Sequence, residues 1–326
     1  MYDRIKKTKV KVISMDVQKK QMQEAAILYY EKKHTQNEIA SIMNLSRQTV
    51  SKLLNDAIKE NIVEIKINNP EITNIGLEQA ICDEFKIKNA IVCGVSADEE
   101  SLCLLMTVKK ATNYIQSIIE KGHQKIGISW GRTIQKFISE FSNINSADNI
   151  VFPLFGATDQ EQSYFLSNEL ARSFADKIGA KVKYAWFPYR SDCIEDCKLF
   201  KKTSYYRKLY ELWSDIDVAI IGIGNREIIQ TFNEIFGYNE KCISAIGDIS
   251  THFFDADGKF VDIYENTLCA TKENLKNARR TIAIASGEDK TEAIVGALHT
   301  RIIDTLITDE YTAKRILSFS NKINKR

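Results

Sequence analysis

The sequence contains few residues of the kinds that interrupt a fold. Its 326 residues include only 3 prolines and 14 glycines, and this scarcity excludes collagen-like and low-complexity disordered chains. Apolar residues make up 44% of the chain, which is enough for a sizeable core without disulfide or metal staples. A chain of this length is expected to form about two domains.

Long apolar segments are also absent. The longest apolar run, residues 218–223, is far too short for a membrane-spanning helix, which needs about 20 residues. The basic N-terminus leads into Asp16 rather than into an apolar segment, so no secretory signal is predicted. The sequence therefore predicts a cytoplasmic protein that does not contact the membrane.

The spacings typical of metal ligands are missing too. The seven cysteines are scattered, and Cys193 and Cys197 have no second pair that would complete a zinc site. The four histidines show no metal-binding spacing either. We therefore expect reduced thiols, no metal site and no cofactor.

Positive charge is concentrated near the N-terminus. Residues 1–66 contain 13 lysines and arginines against 8 aspartates and glutamates, a net charge of +5, whereas the remainder of the chain carries −3. Contact with nucleic acid requires such positive charge, because the phosphate backbone supplies much of the attraction. The distribution favours DNA binding by the N-terminal part.

Residues 35–61 have the pattern of two short helices joined by a tight turn. Thr35 and Glu38 have the spacing of a capping box, Asn44 begins the turn, and Ser46 can cap the second helix. The second helix carries an apolar stripe at helical spacing that is predicted to pack inward. The stripe consists of Val50, Leu53, Leu54, Ala57 and Ile58.

The polar side chains near the start of the second helix suit DNA recognition. An arginine can donate two hydrogen bonds to guanine, an amide can pair with adenine, and hydroxyls and lysines can bind phosphate. In a helix-turn-helix, this end of the second helix reaches the base edges. The residues predicted to read bases are Arg47, Gln48, Thr49 and Ser51, and those predicted to hold phosphate are Gln36 and Lys52.

Flanking segments extend the predicted DNA-binding domain to residues 16–70. Asp16 can cap a helix that runs to about residue 33 and braces the helical pair, and residues 62–67 alternate as a strand that fits a wing. Residues 1–15 are basic and are predicted to form a separate arm. Residues 71–326 are predicted to form the second domain.

Strand-like and helix-like segments alternate in the second domain, which predicts a mostly parallel sheet covered by helices on both faces. The fold prediction is thus an α/β chain with an N-terminal winged helix-turn-helix. One helix is predicted over residues 199–213. The predicted strands are residues 90–95, 125–129, 150–154, 181–186, 217–222, 281–285 and 305–308.

Five loops at predicted strand ends contain small or polar residues. Ligands of parallel sheets bind at the carboxyl ends of the strands, so these loops are the candidate ligand site. Glycines let backbone amides approach an anion, a helix N-terminus attracts it, and Lys290 adds a charge suited to phosphate. The loops, which begin at Gly127, Phe155, Gly222, Gly247 and Ser286, together predict a pocket for a phosphorylated small molecule.

One motif in these loops suggests hydrolase chemistry. Residues 127–131 fit the G-x-S-x-G pattern around Ser129, and Asp248 with His252 or His299 could complete a triad. The oxyanion loop of such enzymes is not visible in the sequence, which argues against this interpretation.

Two other motifs match only in part. Residues 222–227 begin like a dinucleotide-binding fingerprint but have Glu227 in place of the third glycine. Residues 255–258 are similar to a calcium loop but lack its full set of ligands, and they are predicted to form a turn between residues 253–254 and 260–261.

The chain resembles the SorC family of bacterial transcriptional regulators. The match begins with the helix-turn-helix sequence of residues 25–54 and covers about residues 22–317. The C-terminal segments that carry it, in the order of the family, are GISWGRT, IVFPLFGA, AIIGIG, AIGDISTHFFDADGK, IAIASGEDKTEAIVGAL and LITDEYTAKRIL. The resemblance implies a sugar-phosphate-sensing domain related in fold to sugar-phosphate isomerases and glucosamine-phosphate deaminases, in a regulator of a carbohydrate operon.

The resemblance also implies a site and an assembly. It places phosphate on the loop of Ser129, Gly131 and Thr133, and it implies a homodimer or homotetramer on DNA. Some members carry a sugar-reactive lysine where this sequence has Phe155, which argues against a covalent imine here. The predicted effector-binding residues are Ser129, Gly131, Arg132, Thr133, Phe155, Gly156, Gly224, Asp248 and Lys290.

The sequence thus predicts a regulator, without catalytic residues, whose partners are a double-stranded DNA operator and a phosphorylated sugar effector. Two alternatives stay open. The second domain could be an enzyme, either a serine hydrolase through Ser129 or a sugar-phosphate isomerase with Asp248 as general base. It could instead serve only for oligomerisation.

Overall fold

The computed structural model describes residues 17–63, 74–161, 164 and 166–323. The chain divides into two compact units, residues 1–71 and 72–326. The predicted arm and most of the predicted wing strand lie outside the described residues. Of the helices that the structure describes, none has the length and apolar character needed to cross a bilayer.

The N-terminal unit consists of a bracing helix and a helical pair. Helix α1 covers residues 17–26 and continues into a π-helical turn, Ile27–Glu31. The helix predicted to run to about residue 33 is therefore confirmed, but its last turn is π-helical, which was not predicted. The helix ends because Lys33 adopts a left-handed conformation, φ +61°, just before the cap of the next helix. The helical pair is α2, Gln36–Met43, and α3, Arg47–Lys59.

Local hydrogen bonds fix the ends of the helical pair as predicted. The Glu38 amide donates to Thr35 Oγ1 over 3.3 Å, and the Thr35 amide donates to Glu38 Oε2 over 2.7 Å, which confirms the capping box. Asn44 takes a left-handed conformation in the turn. Ser46 Oγ then accepts from the Thr49 amide over 3.1 Å and starts α3.

The inward stripe of α3 is confirmed at four of its five positions. Val50, Leu53, Leu54 and Ala57 are buried, but Ile58 is 39% exposed. The core ends there because the chain folds back over the helix end, where the Ile62 amide donates to the Ala57 carbonyl. Ile62 and Val63 are partly buried and pack on the core in place of Ile58.

The second unit is built on a parallel sheet with the strand order β1-β10-β9-β5-β2-β3-β4. Every pairing along this path is parallel, which confirms the predicted α/β sheet. The strands are β1 Asn89–Cys93, β2 Lys125–Ile128, β3 Ile150–Pro153, β4 Lys181–Val182, β5 Val218–Gly224, β9 Arg280–Ile284 and β10 Thr305–Asp309.

Helices cover both faces of this sheet. Alternate residues of β5 enter different cores, with Ile221 on one face and Ile220 on the other, as expected of strands buried on both sides. The helices are α4 Ile75–Phe85, α5 Glu100–Ile119, α6 Arg132–Glu140, α7 Ser167–Ile178, α8 Ile194–Lys202, α9 Ser204–Trp213, α10 Arg226–Phe236, α11 Lys272–Asn277, α12 Thr291–His299 and α13 Glu310–Ile323.

Three short antiparallel strands, absent from the prediction, extend β5. They are β6 Gly247–Ile249, β7 His252–Phe254 and β8 Phe260–Val261, and β6 pairs with the end of β5. The predicted turn between β7 and β8 is confirmed, because the Gly258 amide donates to the Asp255 carbonyl within it.

Two other predicted elements are wrong in extent. Strand β4 has only two residues, since the chain leaves the sheet after Val182. The predicted helix over residues 199–213 is two helices, because Thr203 leaves the helical conformation at ψ 152° and caps α9 through the Tyr206 amide.

We expect Thr35→Ala to loosen α2, because it removes the acceptor of the capping box. The cost should be about 1 kcal/mol, within the roughly 0.5–2 kcal/mol measured for such caps. Hydrogen exchange of the α2 amides in the full chain measures the effect. Thr35→Ser keeps the hydroxyl and is the matched control, so equal exchange in both variants would contradict the prediction.

Candidate functional site

A cavity of about 160 Å³ lies at the carboxyl ends of three neighbouring strands, β2, β5 and β9. Its walls come from the loops that follow these strands, from the turn between β6 and β7, and from the start of α5. This is the position at which parallel α/β sheets bind their ligands. The central position of the three strands therefore brings loops that are distant in sequence to one place.

The start of α6 forms one wall and is suited to an anion. The amides of the first turn of any helix lack intrahelical acceptors. Gly131, with φ +110°, provides no side-chain cap for them here. The Gly131 amide itself donates to the Tyr164 carbonyl. Thr133 is buried, and its hydroxyl lies 3.4 Å from the Lys290 ammonium. A phosphate here would meet a cation, a hydroxyl and the positive end of a helix.

The turn between β6 and β7 forms the floor. Ser250 and Thr251 both have positive φ, +47° and +73°, which is unusual for residues other than glycine and strained for a β-branched one. In this conformation the Thr251 amide donates to Asp248 Oδ2 over 3.0 Å. A side chain at Gly224 would overlap Asp248 Oδ1. The turn and the glycine together hold the Asp248 carboxyl in one position.

Two opposite charges of the cavity are desolvated. Asp248 is only 2% exposed, and burial raises its pKa to about 7, although the Thr251 amide and the nearby Lys290 act in the other direction. Burial likewise lowers the pKa of Lys290. Both pKa shifts follow from loss of hydration. A ligand that offers polar contacts would therefore stabilise the charged forms of the Asp248 carboxyl and the Lys290 ammonium.

The loop that carries Lys290 is anchored from behind. The Gly287 amide donates to Thr312 Oγ1 over 2.9 Å, and that hydroxyl donates to Asp309 Oδ2 over 2.6 Å. Asp309 also accepts from the Tyr311 and Thr312 amides. The loop is therefore tied to the first turn of α13 through side chains that do not line the cavity.

The rim of the cavity is rich in carboxylates. Arg132 reaches Glu227 across the mouth, with 3.3 Å between Nη2 and Oε1, and it lies over the Tyr164 ring. Asn225 donates to Asp289 Oδ2 over 2.7 Å. Glu100 contributes a further carboxylate from the first turn of α5. These contacts join the loops after β2, β5 and β9 at the entrance.

The structure brings most of the predicted effector-binding residues together and places two elsewhere. Those that line the cavity are Ser129, Gly131, Arg132, Thr133, Gly224, Asp248 and Lys290. Phe155 and Gly156 do not line it, because the chain after β3 is held against another segment. Phe155 bridges Cys269, and the Gly156 amide donates to the Leu268 carbonyl. The Phe155 ring packs against Trp130, which does line the cavity.

Sequence reasoning missed several lining residues. Glu100 and Leu104 line the cavity, although no predicted ligand loop includes them. They lie at the start of α5, after the loop that follows β1, and that loop contains Gly94 but was not chosen as a ligand loop. Ser250 was missed because the β6–β7 turn was not recognised. The polar residues Asn225, Ser286 and Asp289 belong to predicted loops but were not chosen as ligand contacts.

The side chains predicted to contact DNA occupy the first two turns of α3 and the start of α2. Arg47, Gln48, Thr49 and Lys52 are exposed, whereas Ser51 and Gln36 are partly buried. The Thr49 hydroxyl is already hydrogen bonded to Ser46 Oγ, 2.8 Å away. Arg47 also borders a shallow cleft of the N-terminal unit, whose other lining residues are Tyr29, Tyr30, Lys33, His34, Thr35, Gln36 and Asn37.

The geometry argues against the hydrolase alternative. Ser129 Oγ is buried and has no hydrogen-bond partner, whereas a serine nucleophile needs a histidine beside it. His252 Nε2 instead lies 2.7 Å from the Ala270 carbonyl, and His299 lies near the Ala256 carbonyl.

Within the described ranges, no group of three or more histidine, cysteine or acidic side chains could hold a metal ion.

Comparison with known proteins defines both parts of the chain. Residues 70–318 match a family described as "Putative sugar-binding domain", and residues 21–60 match sigma-70 region 4. The sorbitol operon regulator of Klebsiella pneumoniae is 30% identical over 90% of this chain and 96% of its own length. The deoxyribonucleoside regulator of Bacillus subtilis is 26% identical over 93% and 99%.

A solved structure agrees with this assignment. The crystal structure of full-length SorC, the sorbitol operon regulator of Klebsiella pneumoniae, superposes with a TM-score of 0.68 at 29% identity, covering 92% of this chain and 99% of that one. A helix-turn-helix joined to a sugar-binding α/β domain defines the class of effector-responsive transcriptional regulators of carbohydrate metabolism. Within that class, the chain belongs to the SorC family.

We expect the stability of the second unit to depend on Asp248 between pH 4 and 7. The folded pKa of about 7 lies above the ordinary value of 3.8, so the folded chain binds the extra proton. The contribution is therefore complete below about pH 4 and is lost as the pH rises to about 7. At about 1.4 kcal/mol per pKa unit, wild type should lose about 4 kcal/mol of unfolding free energy relative to Asp248→Asn as the pH rises from 4 to 7.

Urea unfolding followed by tryptophan fluorescence measures this effect, because all three tryptophans lie in the second unit. Asp192→Asn, at an exposed aspartate, is the control and should follow wild type. If the unfolding free energies of wild type and Asp248→Asn changed in parallel with pH, the carboxyl would not be desolvated.

Proposed function

We propose that the chain represses or activates its operon in response to a phosphorylated sugar bound in the cavity at β2, β5 and β9. The observation that carries this proposal is the uncapped start of α6, with Thr133 and Lys290 3.4 Å apart beside it. These groups match a phosphate, while Asp248, Ser129 and Ser250 match the hydroxyl groups of a sugar.

The DNA-binding role is assigned to α3 and the start of α2. Arg47, Gln48, Thr49 and Ser51 would contact base edges, and Lys52 and Gln36 would contact phosphates. The exposure of Arg47, Gln48 and Lys52 at one end of α3 supports this role. Because DNA is the target, we propose the cytoplasm as the location.

Regulation requires that the effector bind one arrangement of the protein more tightly than another. We propose that the chain acts as a homodimer or homotetramer, since helix-turn-helix proteins commonly read paired half-sites. Exposed apolar side chains support a subunit interface. Those on α8, α9 and the segment before them are Trp186, Ile194, Leu199, Tyr205 and Tyr210.

We further propose that the second unit has no enzymatic activity. An isomerase needs a general base that exchanges protons with the sugar carbons, usually with a second group that polarises the carbonyl. Asp248 is held by Thr251 and packed against Gly224, so it is suited to a fixed hydrogen bond. Turnover of sugar phosphates by the purified chain would contradict this assignment.

Arg47→Ala should weaken binding to the selected operator by roughly 1–3 kcal/mol if Arg47 pairs with a guanine. Fluorescence anisotropy with DNA fragments that the chain selects from a random pool measures this loss. Lys59→Ala, at the other end of the same helix, is the matched control and should bind almost normally. Equal affinities for the two variants would remove Arg47 from base recognition.

Thr133→Val should weaken effector binding and leave DNA binding unchanged, because it removes one hydroxyl from the phosphate cradle and keeps the shape. A hydrogen bond to a charged group is worth about 1.5–3 kcal/mol, so we expect roughly a 10- to 100-fold loss. Thermal shift against phosphorylated sugars and their parent sugars measures this change. Ser139→Ala, farther along α6, is the control, and a normal response from Thr133→Val would refute the phosphate site.

A further inference from the structure

The charged groups of the cavity are unevenly divided. Its lining contains two cations, Arg132 and Lys290, and four carboxylates. Arg132 is already paired with Glu227 at the rim. Lys290, the other lining cation, lies beside Thr133 and the start of α6. The lining carboxylates are Glu100, Glu227, Asp248 and Asp289.

The polar groups of the floor are suited to hydroxyl groups. Ser129 Oγ and Ser250 Oγ are buried and have no hydrogen-bond partner, and such groups are costly unless a ligand or water satisfies them. A ligand hydroxyl can both donate and accept, so it can satisfy a serine and a carboxylate at once. Asp248 uses one oxygen for the Thr251 amide, and its carboxyl can bond further hydroxyls.

A second phosphoryl group would not find a comparable place. One set of groups in the lining combines a cation, a hydroxyl and a helix start, and a second phosphate would have to lie near the remaining carboxylates. Like charges held close together in a desolvated site repel strongly, because little water screens them. Burial raises the pKa of Asp248 to about 7, so above that pH its ionised carboxylate adds to this repulsion in a site with little water.

We propose that the cavity selects sugars or sugar alcohols with a single phosphoryl group and rejects bisphosphates, and that Asp248 is the main residue of this selection. The inference rests on the proposed function, since it assumes that the effector phosphate occupies the Thr133–Lys290 cradle. It specifies how many phosphoryl groups the effector carries, and it names the residue that discriminates monophosphates from bisphosphates. Glu100 contributes in a smaller degree, because it is exposed at the rim.

The test measures the affinity of the full chain for matched triplets by isothermal titration calorimetry. The probes are fructose, fructose 6-phosphate and fructose 1,6-bisphosphate, and the corresponding glucose, glucose 6-phosphate and glucose 1,6-bisphosphate. In the triplet that binds best, we expect the monophosphate to bind at least about tenfold more tightly than both other members, a difference of about 1.4 kcal/mol.

Each result decides a different claim. A bisphosphate that binds as tightly as its monophosphate would overturn this inference and leave the proposed function in place. A parent sugar that binds as tightly as its monophosphate would overturn the phosphate cradle and therefore both claims. Failure of every phosphorylated probe to bind would count against the proposed function itself.

The role of Asp248 is tested at pH 8, above its pKa of about 7, with Asp248→Asn, which removes the charge and keeps the shape. We expect the ratio of monophosphate to bisphosphate affinity to fall at least about threefold, since repulsion of the second phosphate is relieved. Glu100→Gln should lower the ratio less, and because its side chain is exposed it provides a test if Asp248→Asn does not fold. Asp192→Asn is the control. An unchanged ratio in both cavity variants would overturn the assignment.

Discussion

The second unit depends on keeping a carboxyl group, Asp248, and an ammonium group, Lys290, out of water at one edge of a parallel sheet. Burial opposes the charged form of each, as their shifted pKa values show. Such a site is stable only if the backbone fixes it from several sides. The strained β6–β7 turn, the contact of Gly224 and the anchored Lys290 loop all serve that purpose.

The same arrangement explains why the cavity can respond to a ligand. Its walls belong to loops after β2, β5 and β9, and contacts such as Arg132–Glu227 and Asn225–Asp289 join these loops at the entrance. Buried polar groups without partners are destabilising, and a ligand that forms hydrogen bonds with the floor would remove that penalty. Binding free energy of this kind is available to favour one protein arrangement over another.

The sequence predicted the elements whose signals are local. The capping box at Thr35 and the parallel strand β5 follow from neighbouring residues, and both were found. The β6–β8 strands were missed because they are only two or three residues long and pair through a turn of Ser250 and Thr251, residues that rarely take positive φ. The location of Phe155 depends on pairing with Cys269, a contact between distant residues that no local pattern reveals.

The link from Gly287 through Thr312 to Asp309 has an evolutionary consequence. Neither Thr312 nor Asp309 lines the cavity, yet both determine where the loop of Lys290 lies. Relatives that change their ligand can vary the lining residues, but a change at either anchor would move the cation whatever the ligand is. Positions 309 and 312 should therefore vary together across descendants, and more slowly than the residues that touch the effector.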